Sequence, residues 1–215
     1  LETIRRAEVA LYAWLVQRAP GLAQAMDLEG LREHRRDLMA ERPALAHDVT
    51  ALRRTSLQIL LQAFGYDPSL AVEAMAVFMA YRHRVEPFPE VIPILRALAE
   101  DYRLVSVTNG NADIDRTPLQ GLFHWSLTAA EVGAARPDPA LFQAALDWAG
   151  LEPDQALHLG DHPLLDIEAA RAFGMRALWV NRGGQPWPAD LEPPLAEIAD
   201  LQALPLWLEE LGHEI

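Results

Sequence analysis

Residues 157–166 read Leu157-His158-Leu159-Gly160-Asp161-His162-Pro163-Leu164-Leu165-Asp166. A short apolar run ends in Gly and Asp, and a proline follows where a helix would make its first turn. That is the pattern of a buried strand, over 156–161, passing into a helix from Pro163 to about Phe173. Outward from this stretch the alternation continues. Arg176 to Asn181 reads as the next strand. On the other side, Asp138 as N-cap and Pro139 in the first turn open a helix that Gly150 closes. Further strands are expected over Leu104–Thr108 and Trp125–Thr128. A helix from Pro89 to about Glu100 buries Val91, Ile92, Leu95 and Leu98. Short apolar strands between helices predict a doubly wound, Rossmann-like α/β core with a parallel sheet covered on both faces. Glu197 to Leu211 adds an edge strand and a closing helix, and the Pro- and Gly-rich run 183–194 reads as a loop.

Residues 1 to about 84 carry only helical patterns. Ile4, Ala7, Leu11, Trp14 and Leu15 form one apolar stripe, and Leu28, Leu31, Leu38 and Met39 a second. Val49, Leu52, Leu60, Leu61 and Phe64 form a third, stopped by Gly65. Leu70, Ala71, Ala74, Met75, Phe78 and Met79 form a fourth. Consecutive amphipathic helices of this kind predict a small bundle. The texture changes at Val85-Glu86-Pro87-Phe88-Pro89, where two prolines flank one aromatic residue. The expected division is a helical domain over 1–85 and an α/β core over 86–215. Trp14, Trp148 and Trp207 are assigned to the cores.

The chain has 215 residues, 51% of them hydrophobic and 23% charged, enough for a sizeable core. It contains no cysteine, which excludes disulfides, thiolate metal sites and thiol nucleophiles. The formal net charge of -13 gives no attraction for nucleic acid or an anionic membrane. Every cation other than histidine is arginine. No apolar run approaches the roughly 20 residues that span a bilayer, and no signal-peptide pattern opens the chain, so a cytoplasmic location is expected. An anionic substrate would need a local positive site.

In doubly wound sheets ligands bind beyond the carboxyl ends of the strands. Two strand ends carry candidate chemistry. At the first, Thr108-Asn109-Gly110-Asn111 offers a hydroxyl and backbone N–H groups to a phosphate oxygen; the same residues suit a turn and a helix N-cap. At the second, Asp161 and Asp166 place two carboxylates where they could hold Mg²⁺, or could cap a helix and complement its dipole. Between them Arg136, in Ala135-Arg136-Pro137-Asp138-Pro139, puts a cation just before a helix N-terminus, as a phosphate ligand or as a surface charge.

Taken in order, Thr108-Asn109, then Arg136 before Pro-Asp-Pro, then Gly160-Asp161 with Asp166 beyond it, resemble motifs two, three and four of the haloacid-dehalogenase superfamily. The resemblance covers 86–181, and the segment 1–84 looks like the helical cap of one branch. His47-Asp48-Val49-Thr50, the 108–111 run and the spacing of Asp161 and Asp166 are similar to the bacterial phosphatases of flavin mononucleotide and of the phosphorylated ribityl-aminouracil intermediate. The resemblance implies a Mg²⁺-dependent phosphomonoester hydrolase for a small phosphorylated metabolite, working through an aspartyl-phosphate. It assigns Asp161, Arg136 and Thr108 to catalysis, and Thr108, Asn109, Gly110 and Arg136 to phosphate. Asp161 and Asp166 fall to the metal, and His47 and Asp48 are candidate cap contacts to substrate. Arg53 and Arg54, polar residues in the same helix, are further candidates, but arginines there read rather as solvated helix-face charges.

Two departures stand out. The family's first motif, Asp-x-Asp-x-Thr on the first strand, which holds the nucleophile and the acid/base, is read as absent from these residues. The family places that strand between those ending at Thr108 and Asp161, so the expectation is that an N-terminal strand precedes Leu1. Arg136 stands where the family usually has Lys. A metal-independent 2-haloacid dehalogenase, or an inactive family member that binds a phosphorylated ligand or a protein, remain alternatives.

Overall fold

The computed structural model describes residues 2–212. The chain forms two compact units, one of 1–86 with 109–120, the other of 87–108 with 121–215.

The first unit is helical: α1 (Glu2–Arg18), α2 (Pro20–Ala25), α3 (Leu28–Glu41), α4 (Val49–Ala63) and α5 (Leu70–Arg82). Ala7, Leu11 and Leu15 recur at four-residue spacing on α1 and meet Leu57 and Leu61 of α4 and Ala71, Ala74 and Phe78 of α5 in one core. Capping agrees with the sequence at two starts. Asp27 accepts from Gly30 N at the head of α3, and Asp48 accepts from Thr50 N and Ala51 N at the head of α4. Ile4, Met39 and Phe64, expected on the buried stripes, are exposed. Each lies in the terminal turn or cap of its helix. The sequence gives no sign of α2, whose six residues are too few to show periodicity.

Residues 109–120 belong to this unit and not, as the linear boundary has it, to the α/β part. The reason is a polar tie. Asn111 Nδ2 donates to Thr50 Oγ1 at 3.0 Å, while Arg82 Nε donates to Asn111 Oδ1 at 3.3 Å.

The second unit contains α6 (Val91–Asp101), β1 (Val105–Thr108), β2 (Trp125–Thr128), α7 (Ala129–Val132), α8 (Ala140–Ala149), β3 (Leu157–Gly160), α9 (Ala169–Ala172), β4 (Arg176–Val180), β5 (Ala196–Ile198) and α10 (Leu204–Gly212). All strand pairings are parallel, with β1 beside β2 and β4 between β3 and β5. The chain is a parallel α/β fold, as the alternation predicts. The described residues nonetheless form two sheets, because no described strand pairs β1 with β3. Val107 of β1 still packs on both sides, against Leu127 and Leu141 and against Phe142, Ile167 and Trp179.

The helix expected over 163–173 is divided. Residues 163–168 form a π-helical turn and only then does α9 begin. Of the residues assigned to the inner side of α6, only Leu98 is buried, while Val91, Ile92 and Leu95 are half-buried. Trp14 and Trp207 border their cores, but Trp148 is 40% exposed and stacks on Trp125 at 5.4 Å.

His83 is a buried histidine at the end of α5 whose ring nitrogens have no hydrogen-bond partner among the described residues. Burial pushes its pKa down, helped by Arg116 and Arg82 and opposed by Asp113. A base that is harder to protonate when folded leaves stability full above its unfolded pKa of about 6.5 and lowers it as pH falls through that value. His83→Leu should therefore flatten the loss of stability between about pH 7 and pH 5, read from urea midpoints; an unchanged slope would show that the proton is accommodated.

Candidate active site

The carboxyl end of β3 is built around one contact. Gly160 closes the strand, and a Cβ placed there would fall 2.3 Å from the Asp166 side chain. Only the bare backbone of glycine lets that carboxylate lie against the strand. The π-helical turn begins at Pro163, with His162 as its cap: Nδ1 of His162 accepts from Leu164 N and Leu165 N at 3.2 Å. The turn carries Asp166 back over Gly160, and Asp166 Oδ2 accepts from His162 N at 2.9 Å.

Asp166 is 4% exposed and forms an ion pair with the Arg136 guanidinium. His158 Nε2 lies 3.5 Å from both Asp166 Oδ1 and Arg136 Nη1. Burial pushes the Asp166 carboxyl up, but His158, Arg136 and the His162 N–H together outweigh it and hold the group below the usual carboxylate range. The pair is thus charged at neutral pH. Asp161, by contrast, is exposed, and its backbone oxygen accepts from Trp179 Nε1 at 3.0 Å.

The structure thus brings Arg136 and Asp166 together, and Asp161 directly follows Gly160 at the same strand end. Thr108 ends β1, in register with Thr128 of β2 in the same sheet. Asn109 and Gly110 begin the segment that belongs to the helical unit. Asp48 caps α4, and His47 is half-buried in the turn before it. Arg54 is exposed as expected, but Arg53 is not a solvated charge: its side chain is 12% exposed and its guanidinium lies 4.0 Å from the Phe78 ring centre. Two participants escaped sequence reasoning. His158 could have been found from strand alternation, since it faces opposite to Leu157 and Leu159, and it meets Phe142 edge-on. The role of Gly160 depends on a side chain six residues on and left no local signal.

The run Asp113-Ile114-Asp115-Arg116-Thr117 has the residue types of Asp-x-Asp-x-Thr. Its setting differs: Asp113 caps a single 3-10 turn over 114–116 and the run lies on no strand. None of the described strands carries that pattern.

The donors suit a hard divalent cation such as Mg²⁺. Carboxylate oxygens are hard ligands, and Mg²⁺ is often held by one or two carboxylates with water and substrate completing the shell. Among the described residues no group of three histidine, cysteine or acidic side chains could form a self-sufficient site.

A family model for haloacid dehalogenase-like hydrolases matches residues 9–174. The chain is 35% identical over 165 residues to a phosphoserine phosphatase of Thermus thermophilus, covering 74% of this chain and 66% of that protein. It therefore spans just under two thirds of that relative. It is 31% identical over 189 residues to the 5-amino-6-(5-phospho-D-ribitylamino)uracil phosphatase YigB of Escherichia coli, covering 84% and 78%. Among solved structures, a 2-haloacid dehalogenase of Pseudomonas syringae pv. Tomato superposes with a TM-score of 0.90 at 43% identity, covering 97% of this chain and 91% of that one.

Two substitutions test the strand-end geometry. Gly160→Ala should destabilise the protein by about 1–3 kcal/mol through overlap with Asp166. Asp166→Asn should cost about 3 kcal/mol or more by removing the negative charge from the buried ion pair with Arg136. Urea unfolding of the single and double variants should show strong non-additivity; simple additivity would separate the two contacts.

Proposed function

Since the chain belongs to the haloacid dehalogenase-like hydrolase family, we propose that it serves a Mg²⁺-dependent phosphomonoester hydrolase acting on a small phosphorylated metabolite. The observation that carries this reading is the pairing of a buried, prepositioned Arg136–Asp166 couple with an exposed Asp161 at one strand end. A phosphate dianion approaching a chain of net charge -13 needs a fixed cation, and an open carboxylate beside it suits a divalent ion.

In this reading Arg136 holds non-bridging phosphate oxygens, where charge spreads in the transition state. Asp166 positions Arg136 and, with the His162 N–H, keeps the guanidinium from swinging into solvent. The Thr108 hydroxyl and the N–H groups of Asn109 and Gly110 donate to the remaining oxygens. Asp161 is the direct Mg²⁺ ligand, with Asp166 behind it as a second ligand or as an orienting group for bound water. When bound, Mg²⁺ would screen the repulsion between the phosphate and an attacking carboxylate. His47 and Asp48 of the helical unit are proposed as substrate contacts. The similarity to YigB supports a flavin-pathway ribityl phosphate, or flavin mononucleotide, as the first substrates to try.

A second reading, 2-haloacid dehalogenase, is favoured by the 43% identity to the 2-haloacid dehalogenase of Pseudomonas syringae pv. Tomato. Its substrate is a single carboxylate, and its displacement of halide needs no metal, leaving Asp161 without a task.

The full-length protein discriminates between the two. Phosphate release with Mg²⁺ that stops in excess chelator supports the phosphatase; chloride release from a 2-haloacid in chelator, without phosphate release from the panel, would sink it. Asp161→Asn should lower Mg²⁺-dependent turnover by about 10²-fold or more with the unfolding midpoint unchanged. Arg136→Lys keeps the charge but loses the planar fork, so it should retain more activity than Arg136→Met and less than the parent.

A further inference from the structure

The helical unit holds a buried basic cluster separate from the residues assigned above. Glu8 of α1 is 4% exposed and faces Arg32 and Arg35 of α3 and Arg53 of α4. Its Oε2 accepts from Arg32 Nε and Nη2 at 2.9 and 2.6 Å. Its Oε1 is shared at 3.3 Å by Arg35 Nη2 and by both terminal nitrogens of Arg53. Arg32 is also drawn to the exposed Glu29. With both carboxylates counted, the three guanidiniums keep one positive charge in excess.

Arg35 and Arg53 share a single carboxylate oxygen. Each guanidinium has five N–H donors, yet the one carboxylate oxygen they share is at the long end of hydrogen-bond distance. Arg53 is fixed over the Phe78 ring and cannot turn outward freely. Burial pushes Arg53 down to about 10 and lowers Arg35 as well, so both remain cationic at neutral pH at a desolvation cost. Between them lies a cavity of about 10 Å³, lined by Glu8, Leu11, Leu31, Arg35, Arg53 and Ser56 among others. That is room for one water-sized body. A monatomic anion fits the volume, offsets the excess charge and tolerates the leucine side of the lining.

We propose that this cavity binds a halide-class anion through Arg35 and Arg53, and that the bound ion stabilises the helical unit. The site is independent of the phosphatase reading and involves none of its residues.

The test uses the full-length protein at constant ionic strength, with sodium gluconate replaced stepwise by sodium chloride or bromide. Expected is a saturable rise in Tm of about 3–6 °C at a tenfold excess over half-saturation. Arg35→Gln, chosen because Arg35 is the less buried of the pair, should abolish the rise. Bromide-soaked crystals of the unmodified protein should give an anomalous peak between the two guanidiniums, a readout that requires no variant to fold. Equal Tm in gluconate and halide, a rise that survives Arg35→Gln, or a cavity without bromide would each overturn the proposal.

Discussion

Asp166 rests on the backbone of Gly160, and from that contact the rest of the strand end follows. The carboxylate is removed from water, so it must be compensated, and Arg136, His158 and the His162 N–H converge on it. Arg136 is thereby drawn toward β3 from the segment before α8, and His158 must occupy the buried face of the strand. The π-helical turn over 163–168 is part of the same construction, because it returns Asp166 to the strand it has just left. Extra residues in a turn of this kind re-aim a side chain where a regular helix would carry it past.

The buried pair also separates the tasks of two carboxylates that look alike in sequence. Asp166 is enclosed and engaged with a cation, while Asp161 is open to solvent. The first is suited to positioning and the second to direct coordination. Desolvation is the physical difference: a buried charge with partners is fixed in place, whereas an exposed one is free to exchange water for a ligand.

A related contrast runs through the helical unit. Its core is an ordinary apolar stripe of leucines and alanines, legible from spacing alone. Its polar interior was not legible. Arg53 and Arg54 are neighbours of identical chemistry, yet one lies over Phe78 and the other faces water. The direction of each follows from a rotation of one residue about α4, and which direction is inward depends on where α1, α3 and α5 lie. The assignment of 109–120 to this unit has the same origin, since it turns on Asn111 meeting Thr50 and Arg82, residues 61 and 29 positions away.

The sequence by itself determined most of the longer elements, the parallel α/β class, the helical segment before it, and the strand ends bearing Thr108 and Asp161. These are set by local periodicity, by proline and glycine punctuation, and by the burial that an apolar run demands. The family relationship was likewise readable from the order of short motifs. Only the tertiary structure decided that Arg136 pairs with Asp166, that His158 lies beside that pair, that Gly160 cannot carry a side chain, and that Glu8 gathers three arginines. Those outcomes depend on distances between residues remote in the chain. A one-dimensional pattern specifies which face of an element is buried, and packing alone specifies what that face meets.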